Sequence, residues 1–209
     1  MVWTKRRLNI LKDRKAIIHR KTSETDILVK INLDGSGQCH LQSELSFLNH
    51  MLTLFCKHGF YDLQVELKGD IDIDSHHSLE DLGICLGRAI KEALGDKAAI
   101  KRYGFYLLVM DEVLVRVALD LSGRGRLFYQ VPEQKMSRIG QIDAEVWKEF
   151  FTALAYEGGF SLHIDVLRGE NTHHIIEGIF KAFARTLDQA IEEEKRLKGN
   201  IPSSKGVLT

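Results

Sequence analysis

The sequence predicts an α+β protein made of two duplicated half-domains, each a mainly antiparallel four-stranded sheet with two helices on one face. Residues 28–37 (LVKINLDGSG) and 114–123 (LVRVALDLSG) are identical at six of ten positions. A His-His-x-x-Glu motif also occurs twice, at 76–80 and 173–177. Each copy opens a segment whose apolar residues recur at helical spacing, so an internal duplication is the economical explanation.

The first half is predicted from changes of hydrophobic period along the chain. Apolar and polar residues alternate over 25–33, as in a half-buried strand, whereas the apolar residues of 47–58 follow helical spacing. The DGSG sequence at 34–37 tolerates left-handed conformations, so we expect a hairpin to a return strand at 38–43. The remaining predicted elements are strands over 16–24 and 61–67 and a helix from the first His pair to Gly95.

The second half repeats this plan. Its predicted strands cover 105–111, 114–123, 126–131 and 160–166, and its predicted helices run over 143–156 and from the second His pair to a stop at Gly199-Asn200. No Pro/Gly/Ser-rich linker separates the halves, so we expect one compact body. The predicted divisions are an N-terminal arm at 1–15, half-domains at 16–100 and 101–198, and a C-terminal tail at 199–209.

The charge balance argues against nucleic acid or an anionic membrane as a partner. Lys and Arg total 29 residues, as do Asp and Glu, so no global basic field exists. No apolar run reaches the roughly 20 residues that span a bilayer, and the basic N-terminus lacks the apolar stretch of a signal peptide. We therefore expect a cytoplasmic protein, in which the three cysteines act as small hydrophobic residues.

The repeated motif has the geometry of a metal site. Residues four apart on a helix share a face, whereas adjacent residues diverge by about 100°. His76 and Glu80 can therefore bind one metal ion while His77 points elsewhere, and the second motif repeats this arrangement. A structural alternative, in which the histidines cap helices or lie in polar pockets, fits two copies inside one duplication less well.

If the two motif helices approach each other, the diverging histidine of each can complete the site of the other. The ligands would then be His76, His77, Glu80, His173, His174 and Glu177. Candidate fourth ligands lie one helix upstream, at His50 and Glu149, which precede the motifs by 26 and 24 residues. Nitrogen and oxygen ligation without cysteine suits octahedral Mn²⁺ or Fe²⁺ and is compatible with Zn²⁺.

Several runs resemble those of imidazoleglycerol-phosphate dehydratase, a family of histidine biosynthesis. In chain order, from about Arg20 to Leu208, they are ETDILVKINLDGSG, FLNHML, HHSLEDLG, LDLSGR, EFF, SLHI, ENTHHIIEGIFKAFARTL and IPSSKG. The resemblance implies a ribosomal protein S5 domain 2-like fold in each half. It also implies a homo-oligomer of 24 subunits built from trimers, with metal sites between neighbouring chains.

The implied activity is that of a hydro-lyase with two Mn²⁺ per active site, with Fe²⁺ or Zn²⁺ as alternatives. It would convert D-erythro-imidazole glycerol phosphate to imidazole acetol phosphate through a metal-bound imidazolate and a diazafulvene-like intermediate. The implied metal ligands are His50, His76, His77, Glu80, Glu149, His173, His174 and Glu177. Position 149 is His in some members, and Asn49, Ser75 and Gly125 are smaller departures.

The resemblance also implies residues for proton transfer and for phosphate binding. Glu24, in the ET sequence, is the first candidate for proton transfer and for substrate contact, and Glu177 and His77 are further catalytic candidates. The implied phosphate ligands are Arg102, Arg124, Lys181, Ser203 and Lys205, whose cationic or hydroxyl groups suit an anion. The tail IPSSKG would then close over the substrate phosphate.

Two competing functions fit the same metal ligands. A di-metal phosphatase or other metal-dependent hydrolase would release phosphate from simple esters. A metal-binding, shell-forming protein without catalysis would turn over no substrate at all.

Overall fold

The computed structural model describes residues 14–132 and 136–208. The first half contains β1 (Lys15–Lys21), β2 (Thr25–Asn32), β3 (Cys39–Gln42), α1 (Ser46–Gly59), β4 (Asp62–Gly69) and α2 (His76–Leu94). The second half contains β5 (Tyr103–Met110), β6 (Val113–Asp120), β7 (Arg126–Gln130), α3 (Val146–Gly158), β8 (Ser161–Arg168) and α4 (Thr172–Ile191). Of the predicted N-terminal arm, residues 1–13 lie outside the described residues.

The two halves have the same sheet topology, so the predicted α+β duplication is confirmed. The strand orders are β1-β2-β4-β3 and β5-β6-β8-β7, and in each sheet the last pair is parallel while the other pairs are antiparallel. Burial alternates strictly along β2, which places Ile27, Val29 and Ile31 on the helix side. The half-domain boundaries near residue 100 stay a prediction.

The predicted hairpin at 34–37 is wrong. Strand β3 pairs in parallel with β4, with Cys39 opposite Leu63, on the side of β4 away from β2. The Asp62 carboxylate accepts hydrogen bonds from the backbone N–H groups of Ser36 (2.8 Å) and Gln38 (3.0 Å). These bonds draw the loop to the start of β4, so the chain crosses over instead of folding back on β2.

The helices pack across the two halves, α1 with α4 and α2 with α3. Gly83 and Gly87 allow α2 to approach α3 closely, because a Cβ atom there would lie 2.4 Å from the Phe150 carbonyl oxygen and 2.6 Å from that of Leu154. Phe55 stacks on Phe183 between α1 and α4, with ring centroids 5.7 Å apart. Each of these buried rings contributes about 1.5–3 kcal/mol of transfer free energy. Because the two rings come from different halves and belong to the same hydrophobic cluster, the two halves share one core.

Helix α4 ends eight residues before the predicted stop at Gly199, at Ile191. Glu192 is extended, its carbonyl accepts from the Lys101 N–H at 2.9 Å, and Glu193 forms a bridge with Ile100. The Glu-rich sequence after Ile191 offers no apolar face to continue the helix, so the backbone pairs with the segment before β5 instead. None of the helices in the described ranges has the length and apolar character needed to cross a membrane.

Candidate metal centre

Three predicted ligands converge where α1 lies beside α4. One ligand atom each of His50, His173 and Glu177 lies within 4.8 Å of the other two. Glu177 Oε2 is 3.4 Å from His50 Nε2 and 3.2 Å from His173 Nε2. Because residues 173 and 177 are one helical turn apart, α4 presents both side chains to α1. Two imidazole nitrogens and one carboxylate oxygen therefore point at a common position.

The Glu177 carboxylate is only 15% exposed and is held by a cation. Lys181 Nζ lies 2.5 Å from its Oε1. Burial alone would raise the pKa of Glu177, but the Lys181 ammonium and then His50 outweigh it, so the pKa is lowered. The carboxylate is therefore ionised at neutral pH, as a metal ligand must be.

The donor set of this cluster fits a divalent metal ion. Imidazole nitrogen with carboxylate oxygen, and no sulfur, suits Mn²⁺, Fe²⁺ or Zn²⁺. Phe47 packs edge-on against His173, with ring centroids 5.0 Å apart, and lies 6.4 Å from the ring of His50. The neighbouring Asn49 is bound to Ser43, through its Oδ1 at 2.8 Å and its Nδ2 at 3.0 Å. His50 is thus oriented by its packing rather than by Asn49.

The equivalent position on α2 and α3 is more open. His76 Nε2 lies 3.6 Å from Glu80 Oε2, and both side chains are 44% exposed. Glu149 lies in the first turn of α3 and occupies the place that His50 has on α1. Within the described ranges, the cluster of His50, His173 and Glu177 is the one group of three ligands that meets within 4.8 Å. Glu149 therefore joins no such group in this chain.

The second histidine of each motif is bound to a carboxylate. His77 Nδ1–H donates to Asp70 Oδ2 at 2.9 Å, and His174 Nδ1–H donates to Glu112 Oε2 at 2.9 Å. These bonds raise the pKa of both histidines, and the bond from His174 is the main cause that lowers the pKa of Glu112 to about 2. Such pairing fixes the ring and leaves Nε2 free for a ligand.

Two features of these sites were not found from the sequence. Asp70 and Glu112 were missed, although a ligating histidine commonly has a carboxylate partner. Asp70 shortly precedes its motif, whereas Glu112 lies in the β5–β6 turn, far from its motif in the chain. The expected approach of α2 to α4 is not among the main helix contacts, since α2 packs on α3 and α4 on α1. His77 and His174 therefore complete neither ligand pair inside the described part of one chain.

Glu24, the first candidate for proton transfer, lies beside the first motif. It is in the turn between β1 and β2, its side chain is 50% exposed, and its Oε2 lies 3.9 Å from His77 Nδ1. A carboxylate at this position can reach a substrate bound next to His77 while remaining in contact with solvent.

The predicted phosphate ligands are not all gathered at one place. Arg102 binds Asp120 with two hydrogen bonds (2.8 and 3.2 Å) and donates to the Pro202 carbonyl at 2.9 Å, which brings it against the tail of Ser203 and Lys205. Arg124 follows β6, where its backbone N–H donates to Ser122 at 3.3 Å. Lys181 instead lies with Glu177 at the metal cluster.

The fold and the site together define a duplicated α+β protein with a His/Glu centre suited to a divalent metal. Residues 43–187 match the family model described as imidazoleglycerol-phosphate dehydratase. The chain belongs to this family, and is therefore a metal-dependent dehydratase of histidine biosynthesis that acts on a small molecule.

Relatives match along almost the whole chain. The imidazoleglycerol-phosphate dehydratase of Acetivibrio thermocellus is 52% identical over 196 residues, which is 94% of this chain and all of that protein. That of Syntrophomonas wolfei is 54% identical over 91% of this chain and 96% of the relative. The crystal structure of the Staphylococcus aureus enzyme has a TM-score of 0.76 at 38% identity, and covers 86% of this chain and 100% of that chain.

Proposed function

We propose that the chain dehydrates D-erythro-imidazole glycerol phosphate to imidazole acetol phosphate with two Mn²⁺ per active site. The observation that carries this proposal is the arrangement of the two motifs. In the second motif, ligand atoms of His173 and Glu177 lie within 4.8 Å of one of His50. In both motifs, Nδ1 of the second histidine is bound to a carboxylate, which leaves Nε2 available to a metal ion. This pattern is typical of metal-ligating histidines.

The residues would divide the work as follows. His50, His173 and Glu177 would hold one metal ion, and His76, Glu80 and Glu149 the other, with His77 and His174 as the remaining ligands. When bound, the ions would supply Lewis-acid stabilisation of negative charge on the substrate's imidazole ring, which favours departure of the hydroxyl on the carbon attached to the ring.

Glu24 would accept the proton from the second carbon of the substrate side chain, the one beyond the carbon attached to the ring. Its carboxylate is half exposed and 3.9 Å from His77, so a ring bound near His77 would bring that C–H within its reach. His77 would orient the ring, and Glu177, tied to Lys181, is the second candidate for proton transfer. The hydroxyl on the carbon attached to the ring would leave, and this hydroxyl and the proton accepted by Glu24 make up the one water released. The resulting enol, with its hydroxyl on the second carbon, would become the ketone.

The substrate phosphate would be held by local cations, because the chain has no net charge to attract it. Arg102 already contacts the tail through Pro202, so the tail of Ser203 and Lys205 would close over the phosphate beside Arg102. Arg124 and Lys181 would supply the other positive charges. This closure would exclude water while the proton is transferred.

We also propose that the active sites form between copies of the chain, in a shell of 24 subunits built from trimers. Support comes from His77 and His174, which complete no site within one described chain. Strand β5 also exposes an apolar row on the outer face of its sheet, with Tyr103, Phe105, Leu107 and Val109 between 56% and 72% exposed. The cytoplasmic location stays a prediction.

The test is to remove metal with a chelator, add Mn²⁺, and measure imidazole acetol phosphate. We expect product only after Mn²⁺ is restored, and no phosphate release from a simple aryl phosphate ester. No dehydration with any divalent metal would overturn the proposal, and phosphate release would favour a hydrolase.

Light scattering with and without chelator tests the assembly, because shared ligands predict smaller particles without metal.

A further inference from the structure

We infer that Asp81 is a positioning residue that holds the turn of Glu24 against the first metal motif. Asp81 follows Glu80 on α2 and is 7% exposed. Its Oδ2 accepts a 2.5 Å hydrogen bond from Thr25 Oγ1, and its Oδ1 lies 3.1 Å from Arg20 Nη2. The inference rests on the proposed role of Glu24 in proton transfer.

The two partners of Asp81 lie on both sides of Glu24. Arg20 is near the end of β1, and Thr25 is the first residue of β2 and follows Glu24 directly. One carboxylate therefore fastens both strands of the β1–β2 hairpin to α2. Because α2 also carries His77 and Glu80, the same helical turn sets the position of Glu24 relative to the motif.

The turn itself is rigidly bonded. Thr22 Oγ1 accepts hydrogen bonds from the backbone N–H groups of Glu24 (3.1 Å) and Thr25 (2.9 Å), and the Thr22 N–H donates to the Thr25 carbonyl at 2.9 Å. These bonds fix the backbone of Glu24 but leave its carboxylate free. The bond from Thr25 to Asp81 then connects this rigid turn to α2.

We call the bonds of Asp81 to Thr25 and Arg20 the Asp81 clamp. The second half of the molecule folds without a carboxylate at the equivalent position. The residue equivalent to Asp81 is Gly178, where a Cβ atom would lie 3.2 Å from Val113 and 3.3 Å from Val115. A side chain there would press on both valines, so the β5–β6 hairpin packs on α4 through apolar contacts at this position, while its Glu112 bonds to His174 and to the Asn171 N–H at the start of α4. The second half therefore has apolar packing at the position of Asp81, and its hairpin is joined to α4 by Glu112 instead.

The carboxylates of the two hairpins also differ. Glu112, in the β5–β6 hairpin, is bound to His174 Nδ1 at 2.9 Å. In the first half Asp70 takes that role for His77, so Glu24 stays unbound at 3.9 Å from the same ring. In the second half the hairpin's own carboxylate joins it to the helix, whereas in the first half Asp81 does so and leaves Glu24 available for chemistry. This is the placement expected of a positioning device.

The test compares Thr25→Val, which removes the donor to Asp81, with Thr25→Ser, which retains a hydroxyl. We expect Thr25→Val to lower kcat about 10- to 100-fold with little change in KM, because small displacements of a reacting group cost about this much. Thr25→Ser should retain most of the wild-type kcat. Thr186→Val is the matched control, since Thr186 is also fully buried but bonds to the Ala182 carbonyl (2.8 Å) far from Glu24 in the chain.

Two further readouts separate positioning from stability. In a Glu24→Gln background, Thr25→Val should lower kcat no further, because the group being positioned is already lost. A second full loss in that background, or an equal loss of kcat in Thr25→Ser or Thr186→Val, would overturn the inference.

Amide hydrogen exchange of Glu24 and Thr25 gives a readout that does not need activity. Thr25→Val should speed exchange in this turn while leaving the β5–β6 hairpin unchanged, and unchanged exchange in the β1–β2 turn would overturn the clamp. A wild-type enzyme that fails to dehydrate with Mn²⁺ would instead overturn the proposed function, and the exchange result would still decide whether Asp81 holds the turn.

Discussion

The helix pair α1/α4 and its duplicate α3/α2 place the same motif in different surroundings. On α1/α4, His50, His173 and Glu177 converge within 4.8 Å, whereas on α3/α2 His76 and Glu80 form a looser 3.6 Å pair to which Glu149 adds no third close donor. The backbone arrangement is shared, so the difference comes from side chains. The duplicated fold therefore supplies one pre-organised cluster of three side chains and one looser pair.

Two differences between equivalent positions of the halves explain why the two clusters are not equally ordered. Position 149 carries a carboxylate where the equivalent position 50 carries an imidazole. In addition, Glu177 is tied down by Lys181 one helical turn later, whereas the residue one turn after Glu80 is Ile84, which offers no charge. Glu177 is accordingly 15% exposed and Glu80 44%. We expect the α1/α4 site to bind its metal more tightly.

The largest expected effect is the loss of a ligand at the tighter site. His50→Ala should lower kcat/KM at limiting Mn²⁺ by at least about 100-fold, because a metal ligand is lost from the cluster. Glu149→Ala should lower it by only about 10-fold, since that position is less committed to a site. Steady-state assays across Mn²⁺ concentrations measure both, and a larger loss in Glu149→Ala would reverse the order of the two sites.

The next effect concerns metal preference at the looser site. Glu149→His would give α3 the imidazole that α1 carries at the equivalent position. Imidazole suits Zn²⁺ better than a carboxylate does, so the Zn²⁺/Mn²⁺ affinity ratio should rise by about 10-fold. Competition titrations measure this ratio, with Glu149→Gln as a control of similar size. An unchanged ratio in Glu149→His would indicate that residue 149 binds no metal.

A smaller effect concerns pH. The bond to Glu112 raises the pKa of His174, and a metal binds only the neutral ring, so Mn²⁺ affinity should be constant above the raised pKa and fall as pH drops through it. Glu112→Gln removes this carboxylate, so the loss of affinity should begin at a lower pH. Mn²⁺ titrations over a pH series test this, with Asp70→Asn as the equivalent change beside His77. A loss that moves to higher pH would contradict the assignment.

The smallest effect concerns the ends of the two equivalent helices. Phe60 and Gly159 both follow their helices in the left-handed region, at φ 60° and 64°. That conformation costs a non-glycine residue about 1–2 kcal/mol, but Arg185 lies 5.1 Å from the Phe60 ring and returns about 0.5–1 kcal/mol. Thermal unfolding should show Phe60→Gly within about 1 kcal/mol of wild type and Gly159→Ala destabilised by about 1–2 kcal/mol. The reverse order of stability would show that the Arg185–Phe60 contact does not offset the cost of the left-handed conformation.

The sequence predicted what depends on local pattern. Amphipathic spacing located the four α-helices of residues 14–132 and 136–208, and the repeated motif located the duplication. It did not predict the pairing of α1 with α4 and α2 with α3, because periodicity defines an apolar face but not its partner. The hairpin at 34–37 failed for a related reason, since the loop is directed by Asp62, more than 20 residues further along.

The candidate site shows the same limit. Helix geometry predicted that the two histidines of each motif diverge, and they do, with His76 and His173 facing their glutamates and His77 and His174 facing Asp70 and Glu112. The identity of those carboxylates depends on turns brought close by the sheets. The end of α4 at Ile191 likewise depends on pairing between Glu193 and Ile100, which no local rule contains.

We expect the duplicated motifs to form two metal sites of unequal affinity. The direct measurement is a Mn²⁺ titration of metal-free protein, with free Mn²⁺ followed by electron paramagnetic resonance, for the wild type, His50→Ala and Glu149→Ala. We predict two Mn²⁺ per chain in two affinity classes, with the tighter class lost in His50→Ala and the weaker class weakened in Glu149→Ala. A single Mn²⁺ per chain, or loss of the same class in both variants, would contradict this account.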